Sequence, residues 1–217
     1  MPTGQVKLSN IVSAKPVAQQ AIIYCRFNKA KTDDNKVDND FFEKNKNYFR
    51  DYSLHLDDEV KQYISHWKGD YNARRKELEE LKEEVVESLL EEANKIEHPS
   101  LANAADLVEL AKAMGALLAV DLKTSQIRRF LGAVMGAEVE AKRKSPDDFD
   151  KAKAEYLKVY LAYAAGRNKA AMPLLCVLEP MISKIRPSGR EGWDDFCTFV
   201  RFVRAIVAYH KFYEGGE

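Results

Sequence analysis

The feature that most constrains this fold is the helical spacing of its apolar residues. From Asp57 to Glu97 the pattern is that of a continuous helix, and from Ala73 the apolar side chains fall mostly three or four residues apart. Such a stripe covers one narrow side of a helix, as in a coiled-coil seam. Its members are Leu78, Leu81, Val85, Leu89 and Ile96. Because the flanking Glu and Lys are typical of a solvated face, we predict a structural role for this helix.

Five further helices are predicted after the helix break at His98–Ser100. They cover about Leu101–Val120, Thr124–Lys144, Ser145–Gly166, Lys169–Ile185 and Trp193–Tyr213, with a loop at Arg186–Gly192. No long segment alternates with period two, and the chain has only 10 Gly and 7 Pro. We therefore predict an all-α fold, a compact bundle of about five helices (residues 99–217) with a long N-terminal helical arm (residues 1–98).

The first part of the arm gives weaker signals. Gln20–Phe27, an apolar run, is interpreted as either a short strand or a docking peptide. Asn28–Asp40 is polar and predicts a mobile loop. Residues 41–54 carry an aromatic cluster suited to a short helix.

Composition excludes several classes of protein. There are 34 basic and 34 acidic residues, although residues 99–217 carry 18 basic against 15 acidic ones. Three scattered cysteines do not make a disulfide framework or a zinc motif. We see no signal peptide and no apolar run long enough to span a membrane. These features predict a protein of the reducing cytoplasm.

Sequence motifs for catalysis are missing. There is no phosphate-binding loop, no zinc-protease or deaminase motif and no nucleophile elbow. The four histidines are isolated, and His210 is interpreted as a core or interface residue rather than a general base. We therefore predict no catalytic residue, metal or cofactor, and an enzyme is the weakest of the hypotheses.

The stretch "DLKTSQIRRF" (Asp121–Phe130) places three cations near a predicted helix start: Lys123, Arg128 and Arg129. Cations at this end oppose the helix dipole by a few tenths of a kcal/mol. That cost is tolerable if an anion such as phosphate binds there, with help from the Thr124 and Ser125 hydroxyls and free backbone N–H groups. The alternative is an ordinary exposed helix start whose arginines pair with carboxylates.

Other basic residues follow in the second half of the chain. They are Arg167, Lys169, Arg186, Arg190, Arg201, Arg204 and Lys211. The last three lie among aromatic residues, a pattern that suits single-stranded nucleic acid. The aromatic residues of that helix are alternatively core, an interpretation we accept for Phe196 and Phe199. No motif of a base-reading RNA-binding domain is present, so any binding would read the backbone.

Three motifs resemble one known family in their order and approximate spacing. "TSQIRRF" (Thr124–Phe130), "YAAGR" (Tyr163–Arg167) and "FVRFVRAIVAYHKFYEGG" (Phe199–Gly216) are similar to the small subunit of type III-A CRISPR effector complexes, the Csm small subunit. The resemblance covers about residues 101–217. It implies a compact helical protein without an active site. It also implies that copies stack beside the backbone subunits, border the guide RNA and its paired target RNA, and touch the large subunit.

Carried over motif by motif, the resemblance implies Lys123, Arg128, Arg129 and Arg167 as leading RNA contacts. Arg201, Arg204 and Lys211 are then secondary contacts. Residues 1–98 are a departure, because the family is usually close to the length of the second half alone.

Two functions from different classes remain open. One is an RNA-binding structural subunit of a CRISPR ribonucleoprotein. The other is a protein-only helical adaptor that binds a partner through the long N-terminal helix. A joint basic surface formed by Lys123, Arg128, Arg129 and Arg167 favours the first, and pairing of each with a carboxylate favours the second.

Overall fold

A computed structural model describes residues 10, 12–29, 71–213 and 215–216. Over these residues the chain forms seven α-helices and three short 3-10 turns. The helices are α1 (Val17–Lys29), α2 (Tyr71–Lys95), α3 (Ala104–Asp121), α4 (Thr124–Ala141), α5 (Ala152–Arg167), α6 (Met172–Ser183) and α7 (Gly189–Phe212). The described residues contain one isolated antiparallel β-bridge, between Asp150 and Ser188, and no β-strand. The all-α prediction is confirmed.

The chain divides into two units, Met1–Val85 and Val86–Glu217, with the division inside α2. The predicted boundary at residues 98 and 99 stays a prediction. In the first unit, the interpretation of Gln20–Phe27 as a strand is wrong, because the whole segment lies in α1, and the alternative of a docking peptide stays a prediction. Nine of the 13 residues of α1 are buried. Because buried residues lie on most sides of this helix, its apolar residues do not show the spacing of three to four that marks a helix with one buried face. The β-branched pair Ile22 and Ile23 then resembles a strand.

The loop predicted for Asn28–Asp40 is wrong for Asn28 and Lys29, which lie in α1. Residues 30–40 and the predictions for residues 41–54 and 57–70 lie outside the described residues. For α2 the predicted apolar stripe is confirmed up to Leu89, since Leu78, Leu81, Val85 and Leu89 are at most 3% exposed. Ile96 is not part of it. The helix ends at Lys95, and Ala93 supplies the next buried position.

In the second unit, α3 and α7 form the centre of the bundle. Gly115 makes their close approach possible, because a Cβ atom there would lie 2.5 Å from Tyr209 Cβ and 2.8 Å from His210 N. Around this pair, α4 packs against α5 and α7, and α6 packs against α5 and α3. This arrangement places the start of α4 beside the end of α5.

Several predicted helix boundaries need correction. The largest difference is the start of α5, which lies at Ala152 rather than at Ser145, after a separate 3-10 turn at Pro146–Asp148. The loop at Arg186–Gly192 is shorter than expected, since α7 begins at Gly189, whose φ of 71° lies in the left-handed region that favours glycine. Gly166 does not end α5, which continues to Arg167 and is capped by Asn168.

Candidate nucleic-acid interface

Two basic segments meet where the N-terminus of α4 lies beside the C-terminus of α5. The side-chain amide of Asn168, the residue after α5, donates to Oε1 of Gln126 over 3.2 Å. The same oxygen accepts the backbone N–H of Lys123 at 3.1 Å. One glutamine side chain therefore holds the Lys123 segment and the Arg167 segment together.

Beside this junction is a cleft of about 180 Å³ that is lined by both Arg129 and Arg167. Its other walls are mostly apolar or aromatic. They are formed by Leu122, Phe130, Tyr160, Tyr163, Ala164, Ala171 and Leu174, together with Gln126. The cleft thus combines guanidinium groups with aromatic rings.

Five cations lie in the two segments that meet at this junction, and we call them the α4–α5 cluster: Lys123, Arg128, Arg129, Arg167 and Lys169. All five residues are exposed. Within the described part of the chain, none of them has a carboxylate oxygen within 4.0 Å. The guanidinium carbon of Arg167 lies 5.7 Å from the ring centroid of Tyr163, in the range of a cation–π contact. The cluster is therefore available to an anionic partner.

The helix end itself is less available than the sequence suggested. The N-cap of α4 is Lys123, and Thr124 is buried. Its backbone N–H donates to the Gly216 carbonyl at 2.6 Å, and its hydroxyl donates to the Gly215 carbonyl at 3.1 Å. The expectation that the Thr124 hydroxyl faces an anion is therefore wrong. Of the predicted anion site, Ser125 and the side chains of the cluster remain exposed.

Arg186, another predicted RNA contact, is engaged within the protein. Its Nε donates to Oδ2 of the fully buried Asp195 at 2.8 Å, and its Nη1 lies 2.8 Å from Glu191. Asp195 also accepts from the backbone N–H and the hydroxyl of Ser100, at 3.0 and 2.5 Å. Burial opposes ionisation of Asp195, but the hydrogen bonds from Arg186 and Ser100 outweigh it and lower the pKa of the carboxyl.

With the predicted start of the last helix at Trp193, Asp195 would lie in its first turn. Because α7 begins at Gly189, Asp195 lies in its second turn and serves as the partner of Arg186.

The remaining basic residues are spread along α7. Arg204 is paired with Glu138 of α4 over 2.5 Å. Like Arg190, Arg201 and Lys211, it is an exposed residue. At 1.5 Å per residue, Arg190 and Lys211 lie about 31 Å apart along the helix. The ten predicted contacts therefore do not form one site, and the structure gathers only the α4–α5 cluster.

Two groups of exposed residues were not singled out from the sequence. Tyr156, Tyr160 and Tyr163 of α5 are 66, 57 and 61% exposed. Their spacing of four and three residues places them on one face of a helix, a signal readable in the sequence. Arg143 and Lys144, just after α4, are also exposed and have no carboxylate within 4.0 Å among the described residues.

His210 is fully buried with Nε2 2.8 Å from the Leu122 carbonyl oxygen, which confirms its interpretation as a core residue. No group of three or more potential metal ligands is gathered in the described ranges. Likewise, none of the described helices has the length and apolar character needed to cross a membrane.

Comparison with known proteins decides the family. A family model described as Csm2 of type III-A matches residues 102–216, about half of the chain. The chain belongs to the Csm2 family. A relative from Streptococcus thermophilus, described as CRISPR system Cms protein Csm2, is 33% identical over 96 residues, which cover 44% of this chain and 76% of the relative. No solved structure matches the chain significantly.

Csm2-family membership confirms the resemblance to the small subunit of type III-A CRISPR complexes and supports a structural subunit of such a complex. All five residues of the α4–α5 cluster lie inside the matched region. Residues 1–101 lie outside it.

Proposed function

We propose that this chain is a non-catalytic, RNA-binding structural subunit of a type III-A CRISPR ribonucleoprotein. In this proposal the α4–α5 cluster holds the sugar-phosphate backbone of guide and target RNA without reading base sequence. Copies of the chain stack along the complex beside its backbone subunits and contact the large subunit.

The observation that carries the proposal is the unpaired state of the α4–α5 cluster. Exposed cations elsewhere in the unit are often paired, as Lys153 is with Glu140 at 2.9 Å and Lys142 with Glu138 at 2.7 Å. The cluster instead gathers five cations from two helix ends without a carboxylate partner among the described residues. Phosphate is the anion that such a surface would meet on RNA, and arginine can bind it through two parallel hydrogen bonds.

The electrostatics support weak binding by a single copy. The net charge of the chain is zero, so long-range attraction to RNA is small. Several stacked copies would bind one RNA with a much higher effective concentration. Affinity is therefore expected to depend on assembly and to fall steeply with salt.

The alternative, a protein-only adaptor, has less support. It requires α2 to offer its apolar stripe to a partner helix. Leu81, Val85 and Leu89 are fully buried in this chain, so that side of the helix is already covered.

The proposed function is tested by titrating the full chain with two labelled single-stranded RNAs of unrelated sequence at several salt concentrations. We expect similar affinities for the two RNAs. Each phosphate contact should add about 0.7 to the magnitude of the slope of log K against log salt. A well-folded protein that binds neither RNA at low salt, or that binds only one of them, would contradict the proposal.

A further inference from the structure

The outward face of α5 is aromatic over most of its length. Tyr156, Val159, Tyr160 and Tyr163 are 57 to 66% exposed. The opposite face of the helix is buried through Ala154, Leu157, Leu161 and Ala165, so the tyrosines are not part of the core. Single exposed apolar residues need no explanation, but a continuous row of this size marks an interaction surface.

The aromatic row runs into the α4–α5 cluster. Tyr160 and Tyr163 line the same cleft as Arg129 and Arg167, and the Arg167 guanidinium lies over the Tyr163 ring. A protein partner with an apolar surface would cover the rings and leave these two guanidinium groups without anions. A single strand of RNA satisfies both, because it carries aromatic bases and phosphates along one chain.

The charges beside the N-terminal part of the row do not oppose an RNA strand. Glu155 is held by Lys151 at 2.9 Å and by Lys158 at 2.6 Å. Glu140 of α4 is held by Lys153 at 2.9 Å. Each of these carboxylates is therefore neutralised by a lysine before a phosphate would approach.

The spacing of the three tyrosine positions along α5 suits an extended strand better than a stacked one. At 1.5 Å per residue, Tyr156 and Tyr160 are about 6 Å apart along α5, and Tyr160 and Tyr163 about 4.5 Å apart. Bases stacked in a helix are about 3.4 Å apart, so successive bases meet these rings only when the strand is extended and its bases are unpaired. Duplex RNA keeps its base faces inside the helix and offers none to the rings.

We propose that Tyr156, Tyr160 and Tyr163 form a stacking platform for unpaired bases of single-stranded RNA, with Arg129 and Arg167 holding the adjoining phosphates. This inference rests on the proposed function and adds a preference between single-stranded and duplex RNA, which contacts to the sugar-phosphate backbone alone do not give. The platform prefers single-stranded RNA over the duplex without selecting a base sequence.

The test compares the full-length wild type with the variant Tyr160→Leu with Tyr163→Leu, which keeps apolar bulk at exposed positions but removes the ring faces. Tyr160→Phe with Tyr163→Phe is the matched control, since it keeps the rings and removes only the hydroxyl groups, including the Tyr163 hydroxyl that accepts a hydrogen bond from Nη1 of Arg167 at 3.5 Å. Each protein is titrated with a short labelled single-stranded RNA and with the same strand annealed to its complement. Circular dichroism and the thermal midpoint verify that each variant is folded.

We expect the leucine variant to bind the single strand at least about fivefold more weakly, the lower bound for one stacked base. Its affinity for the duplex and its salt slope should change much less, because Arg129 and Arg167 keep their charges even though the ring beside Arg167 is removed. The phenylalanine variant should bind both RNAs like the wild type.

Equal binding of the single strand by the leucine variant and the wild type would overturn the platform but leave the backbone contacts standing. A leucine variant with changed self-association and unchanged RNA affinity would also overturn the platform, because that face of α5 would then contact a second copy of the chain. Failure of the wild type to bind either RNA would instead contradict the proposed function itself.

Discussion

Replacing Gly115 by alanine tests the packing of α3 against α7. The added Cβ would lie 2.5 Å from Tyr209 Cβ and 2.8 Å from both Tyr209 C and His210 N. Carbon atoms in good contact are about 3.5–4.0 Å apart, so the two helices must separate by about 1 Å. Two of these three atoms belong to the backbone of α7, so rotation of a side chain cannot relieve the overlap.

The magnitude follows from two opposing effects. Overpacking of a filled core destabilises by about 1–3 kcal/mol, and the rigid backbone places this site near the upper end. Alanine in a helix interior is favoured over glycine by about 1 kcal/mol. We therefore expect Gly115→Ala to lower the free energy of unfolding by about 2 kcal/mol.

Gly132→Ala provides the matched control in α4. A Cβ atom there would have no neighbour within 4 Å, so this variant gains the same helix propensity without a clash. We expect it to be about 1 kcal/mol more stable than the wild type. Urea unfolding followed by circular dichroism at a common m-value gives both free energies. Equal stability of the two alanine variants would refute the close approach of α3 and α7.

Two further predictions concern Asp195. Asp195→Asn removes the charge from a fully buried carboxylate that accepts hydrogen bonds from Arg186 and Ser100. We expect this variant to lower the free energy of unfolding, measured by urea titration, by about 3 kcal/mol. An unchanged free energy of unfolding would contradict the network. Because the folded state lowers the pKa of Asp195, its contribution is complete above the ordinary value of 3.8 and is lost as the pH falls below it. Stability measured across that range should therefore fall less steeply with acid in Asp195→Asn than in the wild type, and parallel curves would speak against the lowered pKa.

The helices of the second unit could be predicted from the sequence because each has a buried face at helical spacing. Leu107, Leu110 and Met114 mark α3 in this way, and all three are buried. Gln20–Phe27 was misinterpreted because α1 is buried on most sides, which removes the period from its sequence. Helix ends were less accurate. The last helix was predicted to start at Trp193, the first large apolar residue after the loop. It starts instead at Gly189, whose left-handed backbone is not visible in the sequence.

The candidate site was predicted only in part. Arg129 and Arg167 could each be singled out from their own sequence motif. That they line one cleft could not be predicted, because it depends on the packing of α4 against α5. The pairing of Arg186 with the buried Asp195 was not apparent, because both looked like ordinary exposed charges. The cap on Thr124 comes from Gly215 and Gly216, which are distant in sequence. The aromatic row of α5 could have been predicted from the sequence, because Tyr156, Tyr160 and Tyr163 are spaced to share one face of a helix, but it was overlooked.

The most direct test of the α4–α5 cluster is RNA binding by Arg128→Ala with Arg129→Ala, compared with Arg143→Ala with Lys144→Ala. Both variants remove two exposed, unpaired cations, and the part of α4 between Arg129 and its end at Ala141 separates the two sites by about 18 Å of helix rise. We predict that the first variant binds single-stranded RNA more weakly for every sequence tested, with a salt slope smaller in magnitude by about 1.4. The second variant should bind nearly like the wild type. Equal losses in both variants would show that charge alone, rather than this cluster, determines binding, and a loss confined to one RNA sequence would contradict backbone recognition.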